Sequence, residues 1–336
     1  MKTSDIEKFG ENCISQQTFE IELSEYSGKV YFVPFAPSKN NPDFYMQIIQ
    51  DNEVLTNIHA YVPDTLLKEN FSSLDAVSFY DVNYDGNTDI ILVKTYGTTT
   101  FAAFYYGFDV DAADYERHFI PQEQLSKNIS SQIKHLSVSE ICNFLSDGKK
   151  NGSFTNYQEA YKAVSRLYEL ENATEKEKKY NLIYIDDDDI PELVAGVNGY
   201  YISLYTYRDG TVYRLMDHTA YRTHGNDGYQ YSSRKNSLRY RSTSYAGAVE
   251  GFTYMAISNQ HSIDTVAQIE TYYFDDINRN RILDENEENS VGHYSISYID
   301  GKKSTNEECE SFNTDKYTYI EPSMDFEALQ SLLKID

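Results

Sequence analysis

Acidic and amide side chains alternate along one short segment that lies between two apolar runs. The segment, called loop 1 here, reads Asp81-Val82-Asn83-Tyr84-Asp85-Gly86-Asn87-Thr88-Asp89. Calcium takes about six to eight oxygen ligands, and alternate positions of a tight loop can direct oxygens to one point. The candidate ligands at positions one, three, five and nine are Asp81, Asn83, Asp85 and Asp89, with the backbone carbonyl of Asn87 at seven.

Gly86 would allow the sharp turn at position six of loop 1. Position twelve is Leu92, so a ligand from elsewhere or a water molecule must complete the shell. Loop 1 therefore predicts a calcium site. The alternative is a turn rich in Asp and Asn that holds no metal.

A later segment, loop 3, fits the helix-loop-helix calcium template in a different way. Its candidate ligands at positions one, three, five, seven, nine and twelve are Asp276, Asn278, Asn280, Ile282 (through its carbonyl), Asp284 and Glu287. A glutamate at position twelve is the usual bidentate ligand. Arg281, however, replaces the glycine at position six and brings a positive charge. The alternative is a solvated acidic turn between strands.

Between these two segments, loop 2 places four aspartates in a row before Ile190-Pro191-Glu192-Leu193. Adjacent carboxylates repel one another unless a cation or hydrogen-bond donors neutralise them. Asp186, Asp188 and Glu192 have the spacing to face one side and to bind calcium. The alternative is that the Asp side chains only cap backbone amides.

The elements around these loops predict an α+β protein, mainly of antiparallel β-sheet with a few short helices and two β-rich regions. Runs of β-branched and aromatic residues indicate strands at 29–35 and 45–49, and the apolar run 90–93 leaves loop 1 as part of the same β-rich pattern. Capping patterns at Ser137 and Asn156 indicate helices. We expect an N-terminal β-rich region over 1–120, a helical connector and linker over 121–156, and a C-terminal α+β domain over 157–336.

Composition narrows the classes of function. The formal charge of −24 repels phosphate backbones, so nucleic acid is excluded as a partner. The sequence contains no run of about 18 apolar residues, so no transmembrane segment is predicted. The first residues lack the apolar core of a signal peptide, so the protein is either cytosolic or exported by a signal that precedes this chain. No phosphate-binding loop, nucleophile elbow or zinc-protease motif is present, and no catalytic residue is singled out.

Two resemblances add to this interpretation. Asp81 to Val93 resembles the calcium loops of VCBS and FG-GAP repeats, in which an acidic loop precedes a buried strand. Residues 157–205, with Ile190 to Leu193, resemble exported lipoproteins and secreted proteins of Gram-positive gut bacteria, and Tyr298 to Lys302 with the capped helix at Ser304 is similar to their C-terminal end. The resemblance implies export, and a lipid anchor encoded upstream.

A basic and aromatic stretch is the remaining candidate for binding. His218 and His224 share it with the arginines and tyrosines Arg222, Arg234, Arg239, Arg241, Tyr221, Tyr229, Tyr231, Tyr240 and Tyr245. It would form a face for an anionic or sugar ligand, or a set of strands whose arginines pair with the abundant acids.

The function predicted from the sequence is that of a calcium-binding extracellular or cell-surface protein. It would be a binding module with structural Ca²⁺, and its partner a glycan or a surface protein. One alternative is a secreted carbohydrate-active enzyme or its accessory domain. Another is a cytoplasmic protein with metal-free acidic turns.

Overall fold

A computed structural model describes residues 9–24, 26–107, 119–175, 177–223, 225–287, 290–314 and 316–334. The chain forms two compact units. Unit 1 comprises Met1–Thr174 and Asp209–Thr211, and unit 2 comprises Glu175–Arg208 and Val212–Asp336.

Unit 1 contains two four-stranded sheets in simple meander order. The first sheet consists of β1 (Phe19–Glu22), β2 (Lys29–Phe35), β3 (Tyr45–Gln50) and β4 (Glu53–His59). The second consists of β5 (Phe71–Tyr80), β6 (Asp89–Tyr96), β7 (Thr99–Gly107) and β8 (Phe119–Pro121). Neighbouring strands are antiparallel in both sheets, as the short connections require.

The core of unit 1 lies between its two sheets. Alternate residues of β6, such as Ile90 and Leu92, join Phe32 and Met46 from the first sheet in one buried cluster. The other face of the second sheet packs against α1 (Glu123–Gln132) and α2 (Val138–Ser146), and α3 (Tyr157–Glu171) packs on both of these helices. Because both faces of β6 are covered, the strand is an almost continuous buried run.

Unit 2 also contains two sheets. A four-stranded sheet has the order β12-β11-β10-β9, with β9 (Lys179–Ile183), β10 (Glu192–Val197), β11 (Tyr201–Arg208) and β12 (Thr211–Ala220). A seven-stranded sheet has the order β18-β17-β16-β15-β14-β13-β19. Its strands are β13 (Asn226–Ser232), β14 (Ser237–Ser244), β15 (Val249–Ile257), β16 (Ile263–Tyr272), β17 (Tyr294–Ile299), β18 (Lys302–Ser304) and β19 (Thr318–Tyr319).

Residues from both sheets of unit 2 meet in one core. Val194 and Leu204 of the smaller sheet pack in the same buried cluster as Leu238 and Met255 of the larger one. Two short helices complete the unit: α4 (Asn306–Glu310) packs on β16 and β17, and α5 (Phe326–Leu332) packs on β9.

The predicted fold class is confirmed: the protein is α+β, mainly antiparallel sheet, with five short α-helices in the described ranges. The helix Tyr157–Glu171, assigned from the sequence to the C-terminal region, belongs to unit 1. Its N-cap is Asn156, as predicted. The N-cap of α4 is Thr305 rather than Ser304, because the reciprocal capping box forms with Glu308. Within the described ranges, no helix combines the length and apolar composition needed to cross a membrane.

Candidate metal centres

Loop 1 connects the paired ends of β5 and β6, where Tyr80 lies opposite Asp89. Tyr84 and Gly86, at positions four and six, have positive φ angles of 65° and 88°. These two left-handed residues curl the backbone, and glycine adopts that conformation without a steric cost. The loop can therefore turn its side chains at positions one, three and five towards each other.

The side chains at these three positions accept hydrogen bonds from the loop's own backbone. The amide of Asp85 donates to Oδ1 of Asp81 and to Oδ1 of Asn83, both at 3.1 Å. The Gly86 amide donates to Oδ2 of Asp81 at 3.2 Å, and the Asn87 amide donates to Oδ1 of Asp85 at 2.8 Å. The structure thus brings three of the predicted ligands together around three successive amides, those of Asp85, Gly86 and Asn87.

Asp89, the predicted ligand at position nine, connects the end of loop 1 to its beginning through hydrogen bonds in the protein interior. Its side chain is fully buried, at 0% exposure. Oδ2 accepts from the Val82 amide at 2.7 Å, and Oδ1 accepts from the Gly107 amide at the end of β7, at 3.0 Å. Burial raises the pKa of Asp89 well above its usual range, and repulsion from Asp85 and Asp81 adds to that rise.

Asp81 is partly buried. Burial raises its pKa to about 6, and the neighbouring Asp85 carboxylate raises it further, while hydrogen bonds from Asn151 and from backbone amides oppose the rise. Nδ2 of Asn151 donates to Oδ2 of Asp81 at 2.8 Å. Amide dipoles therefore stabilise the negative charge of loop 1, and a divalent cation would stabilise it more strongly.

Loop 3 connects β16 to β17 in unit 2 and repeats the hydrogen bonds of loop 1. The Asn280 amide donates to Oδ1 of Asp276 at 2.9 Å and to Oδ1 of Asn278 at 3.0 Å. The Arg281 amide donates to Oδ2 of Asp276 at 3.1 Å, and the Ile282 amide donates to Oδ1 of Asn280 at 2.8 Å. These four bonds join the same pairs of positions as the four in loop 1.

The backbone of loop 3 matches as well. Arg279 and Arg281, at positions four and six, have φ angles of 61° and 63°. Arginine carries a Cβ, so it adopts this conformation at a cost that Gly86 in loop 1 avoids. The two loops therefore share both the curl of the chain and the direction of the side chains at positions one, three and five.

The loops differ in the carboxylate that closes them. In loop 3, Oε1 of Glu287 at position twelve accepts from the Ile277 amide at 2.7 Å, as Asp89 at position nine does from the corresponding amide in loop 1. Glu287 is 1% exposed. Asp284 at position nine instead accepts from the side-chain amides of Asn278 and Asn280, at 2.6 and 3.0 Å. Each loop thus has one buried closing carboxylate, supplied from a different position.

Loop 2 has another arrangement, with a guanidinium beside its acids. Arg208, the last residue of β11, bonds to Asp186 at 2.6 Å and also forms an ion pair with Asp188. Glu192 is fully buried, and its Oε2 accepts from the Ile185 amide at 2.8 Å. Burial raises the pKa of Glu192 to about 7, and Asp186 raises it further, while Arg208 opposes the rise. Arg234 pairs with Asp189 of the same loop at 2.6 Å. The positive charges next to the loop 2 acids are therefore side chains of the same unit.

The basic and aromatic stretch forms strands whose arginines contact acids and amides. Arg241 pairs with Asp227 at 2.8 Å and with Glu250. Arg239 donates to Asn313 at 2.7 Å, and its guanidinium lies 3.9 Å from the ring centroid of Tyr317. Arg222 also pairs with Glu321, and Arg234 pairs with Asp189. Three arginines of this stretch therefore pair with acids, whereas Arg239 contacts amides and an aromatic ring. His224 lies outside the described residues.

Several partners of the acidic loops come from distant parts of the sequence and were not predicted. Asn151 reaches Asp81, Arg208 and Arg234 reach loop 2, and the hydroxyl of Tyr294 donates to Oδ2 of Asp276 at 2.9 Å. The β10–β11 register, with Leu193 opposite Tyr205, carries the end of β11 back alongside loop 2. A sequence prediction that included this hairpin register would have brought Arg208 next to loop 2.

The donor sets of loops 1 and 3 fit a hard cation. Each loop offers only oxygen donors, from carboxylates, side-chain amides and a backbone carbonyl, which calcium prefers. In the described ranges, no three His, Cys, Asp or Glu side chains converge as a ready metal cluster. Comparisons with protein-family models, with curated proteins and with solved structures give no match for this chain.

Proposed function

We propose that the protein binds Ca²⁺ in loops 1 and 3, and that it acts outside the cell as a binding module whose loops are held by the metal. The observation that carries this proposal is the pattern of four backbone-to-side-chain hydrogen bonds at identical positions in the two loops. Loop 1 and loop 3 lie in different units and belong to different sheets. A shared ligand requirement accounts for the same geometry in both.

The metal would have a structural role. Asp89 connects loop 1 to the end of β7, and Glu287 connects the two ends of loop 3. A cation bound at positions one, three and five would neutralise acids that are already buried or adjacent. Its binding free energy would add to the stability of the folded state, since the unfolded chain has no such site.

Loop 2 is proposed to work without a metal. Arg208 already supplies a positive charge to Asp186 and Asp188, so a cation would have to displace a guanidinium that forms two charge-assisted contacts. Loop 2 has the acidic sequence of a metal loop, but the guanidinium of Arg208 takes the place of the metal as an internal cation.

The proposed location is the cell surface or the extracellular medium. Loops with neutral Asn ligands bind calcium weakly, and extracellular modules work at the high calcium concentrations found there. The resemblance to exported lipoproteins agrees with this location. Fractionation of cells that express the native gene, followed by immunoblotting, tests it; recovery only in the cytosolic fraction would contradict it.

Calcium binding is tested by thermal melting and calorimetric titration. At a free calcium concentration ten times the Kd, one site adds about 1.4 kcal/mol, or roughly 3 °C in Tm for a unit of this size. We expect EGTA to lower the Tm of the wild type. Asp81→Asn and Asp276→Asn should each bind fewer calcium ions than the wild type, and the double variant none.

Matched controls are available in two exposed hairpin turns. Asp51 and Asp300 also have positive φ angles, of 51° and 47°, but lie outside the acidic loops. Asp51→Asn and Asp300→Asn should titrate like the wild type. A wild-type protein with the same Tm in calcium and in EGTA, and no heat of calcium binding, would contradict the proposal.

A further inference from the structure

A groove of about 1080 Å³ lies in unit 1, away from loop 1. Its walls are the connection between β2 and β3, the end of β4, and the connection from β4 to β5. Phe71 and Tyr96 line it where β5 begins and β6 ends, whereas loop 1 joins the opposite ends of the same strands. A ten-residue strand spans about 30 Å, so the groove is separate from the predicted calcium ligands.

Aromatic rings form part of the groove lining. Phe44 stacks on Phe71 with ring centroids 4.8 Å apart and an angle of 11° between the rings. Phe71 meets Tyr96 edge to face at 5.5 Å. Phe44 and Tyr96 are themselves buried, so the apolar surface that the groove offers comes from the partly exposed rings of Tyr45, Tyr61 and Phe71. Apolar surface within an otherwise polar recess suits a ligand with both C–H faces and polar groups.

The polar lining consists mainly of amides and carboxylates. The amide side chains are those of Asn41, Gln47, Asn57 and Asn70, and the carboxylates are those of Asp43, Asp64, Glu69 and Glu123. The basic side chains that line it are Lys68 and His59. The excess of negative charge opposes a polyanionic ligand. Amides and carboxylates together can both donate to and accept from hydroxyl groups.

The hydroxyl of Tyr61 and the side chain of Tyr96 are buried behind the groove surface. Burial raises the pKa of Tyr96 to about 12, and the Asp43 carboxylate adds to the rise. Burial, then Glu123 and Asp64, raise the pKa of Tyr61. These phenol hydroxyls support the groove from behind and do not face a ligand. Sugar hydroxyls, each a donor and an acceptor, match the amides and carboxylates of the lining.

One wall of the groove is fixed in place by buried side chains. Nζ of Lys94 donates to the backbone oxygen of Tyr61, and the Tyr61 amide donates to the hydroxyl of Tyr105, both at 2.7 Å. Lys94 and Tyr105 are fully buried. A wall that is already ordered loses little conformational entropy when a ligand binds.

We propose that this groove binds a segment of an uncharged carbohydrate chain, with sugar faces on its aromatic rings and sugar hydroxyls on its amides and carboxylates. The inference rests on the proposed role as a binding module and not on calcium. It gives that module a neutral glycan as its ligand class.

Affinity electrophoresis tests the groove, with amylopectin, xyloglucan, galactomannan and mixed-linkage β-glucan as neutral probes and polygalacturonate as the anionic one. We expect at least one neutral polysaccharide to retard the wild type, in calcium and in EGTA. Asn57→Trp places a bulky ring in the groove from the exposed end of β4 and should weaken that interaction at least tenfold. Asn70→Ala removes an amide without adding bulk and should weaken it several-fold.

The matched control is Val54→Trp, on the same strand but outside the groove lining. It should bind like the wild type, and circular dichroism should show that all three variants are folded. The proposal would be overturned if no neutral polysaccharide retarded the wild type, if only polygalacturonate did so, or if Val54→Trp lost binding as much as Asn57→Trp. Loss in Asp81→Asn with no change in Asn57→Trp would also overturn it, whereas calcium binding is decided separately by the EGTA melting curve.

Discussion

Lys94 is a lysine that is buried among apolar residues in the interior of unit 1. It lies on β6 among residues that face the first sheet, and it is 0% exposed. Its Nζ lies 5.3 Å and 5.1 Å from the ring centroids of Phe44 and Phe101, and it donates a hydrogen bond to the backbone carbonyl of Tyr61. Burial lowers the pKa of Lys94 to about 7, because removal from water disfavours the charged form.

The stability of the protein should therefore rise with pH above 7 through this residue. Between the folded pKa of about 7 and the unfolded value near 10.5, the unfolded chain binds a proton that the folded chain does not. The free energy of unfolding of the wild type should gain about 2 kcal/mol between pH 7 and pH 9 from Lys94 alone. In Lys94→Met this gain should be absent, as measured by urea unfolding at each pH.

The control for Lys94 is Lys127→Met, an exposed lysine on α1. The difference in the free energy of unfolding between Lys127→Met and the wild type should stay constant over the same pH range. Identical pH dependence in the wild type and in Lys94→Met would show that Lys94 does not titrate near neutral pH.

At the scale of the element, the three acidic loops show two ways to hold acids at a strand end. In loops 1 and 3, the acidic side chains accept hydrogen bonds from consecutive backbone amides, at a turn where two residues have positive φ angles. Each of these loops also contains one buried carboxylate that accepts from the amide at position two. Loop 2 directs its acids at the guanidinium of Arg208, which the neighbouring strand delivers. The same residue types therefore serve different purposes, depending on what the adjacent strand brings to them.

Removal of Arg208 should make loop 2 unstable and responsive to calcium. Arg208→Gln leaves Asp186 and Asp188 near the buried Glu192 without their positive partner, which should cost about 2 kcal/mol of unfolding free energy. Millimolar calcium should restore part of this loss, and calorimetric titration should detect a weak additional site. Urea unfolding with calcium and with EGTA measures both effects.

Arg222→Gln is the matched control, since Arg222 pairs with Glu321 at 2.6 Å at a more exposed position. Exposed pairs contribute at most about 1 kcal/mol. If Arg208→Gln unfolded like the wild type in both solutions, the internal-cation account of loop 2 would be wrong.

At the scale of the whole molecule, the dominant property is the charge of −24. Self-repulsion of this size destabilises a compact chain, and dissolved salt screens it over a Debye length of about 10 Å at 0.1 M. Any cation would therefore raise the stability to some degree. Specific calcium binding has to be distinguished from this general effect.

A salt series separates the two effects. Raising NaCl from low concentration to 0.5 M should increase the Tm of the wild type in EGTA by a few degrees, because screening weakens repulsion between exposed acids. In 0.5 M NaCl, added calcium should still raise the Tm of the wild type but not that of the Asp81→Asn, Asp276→Asn double variant. Differential scanning calorimetry measures both. A calcium effect that vanished in high salt would indicate screening rather than binding.

The sequence by itself determined the elements and the acidic loops. Runs of β-branched, aromatic and other apolar residues located β2, β3 and β6, and capping residues located α2 and α3, because these signals depend on neighbours within a few residues. The spacing of Asp81, Asn83 and Asp85 also predicted that they would gather, since a short loop with Gly86 at its turn brings alternate side chains together.

Tertiary structure decided everything that depends on residues far apart in the chain. The local pattern could not show that Asp89 would anchor the end of β7, that Arg208 would reach loop 2, or that Lys94 would be buried. The groove likewise combines an early connection, an edge strand and the end of β6. Local propensity depends on only a few neighbouring residues. Burial and charge pairing depend instead on which strands are brought together by the sheet register and by the packing of the sheets.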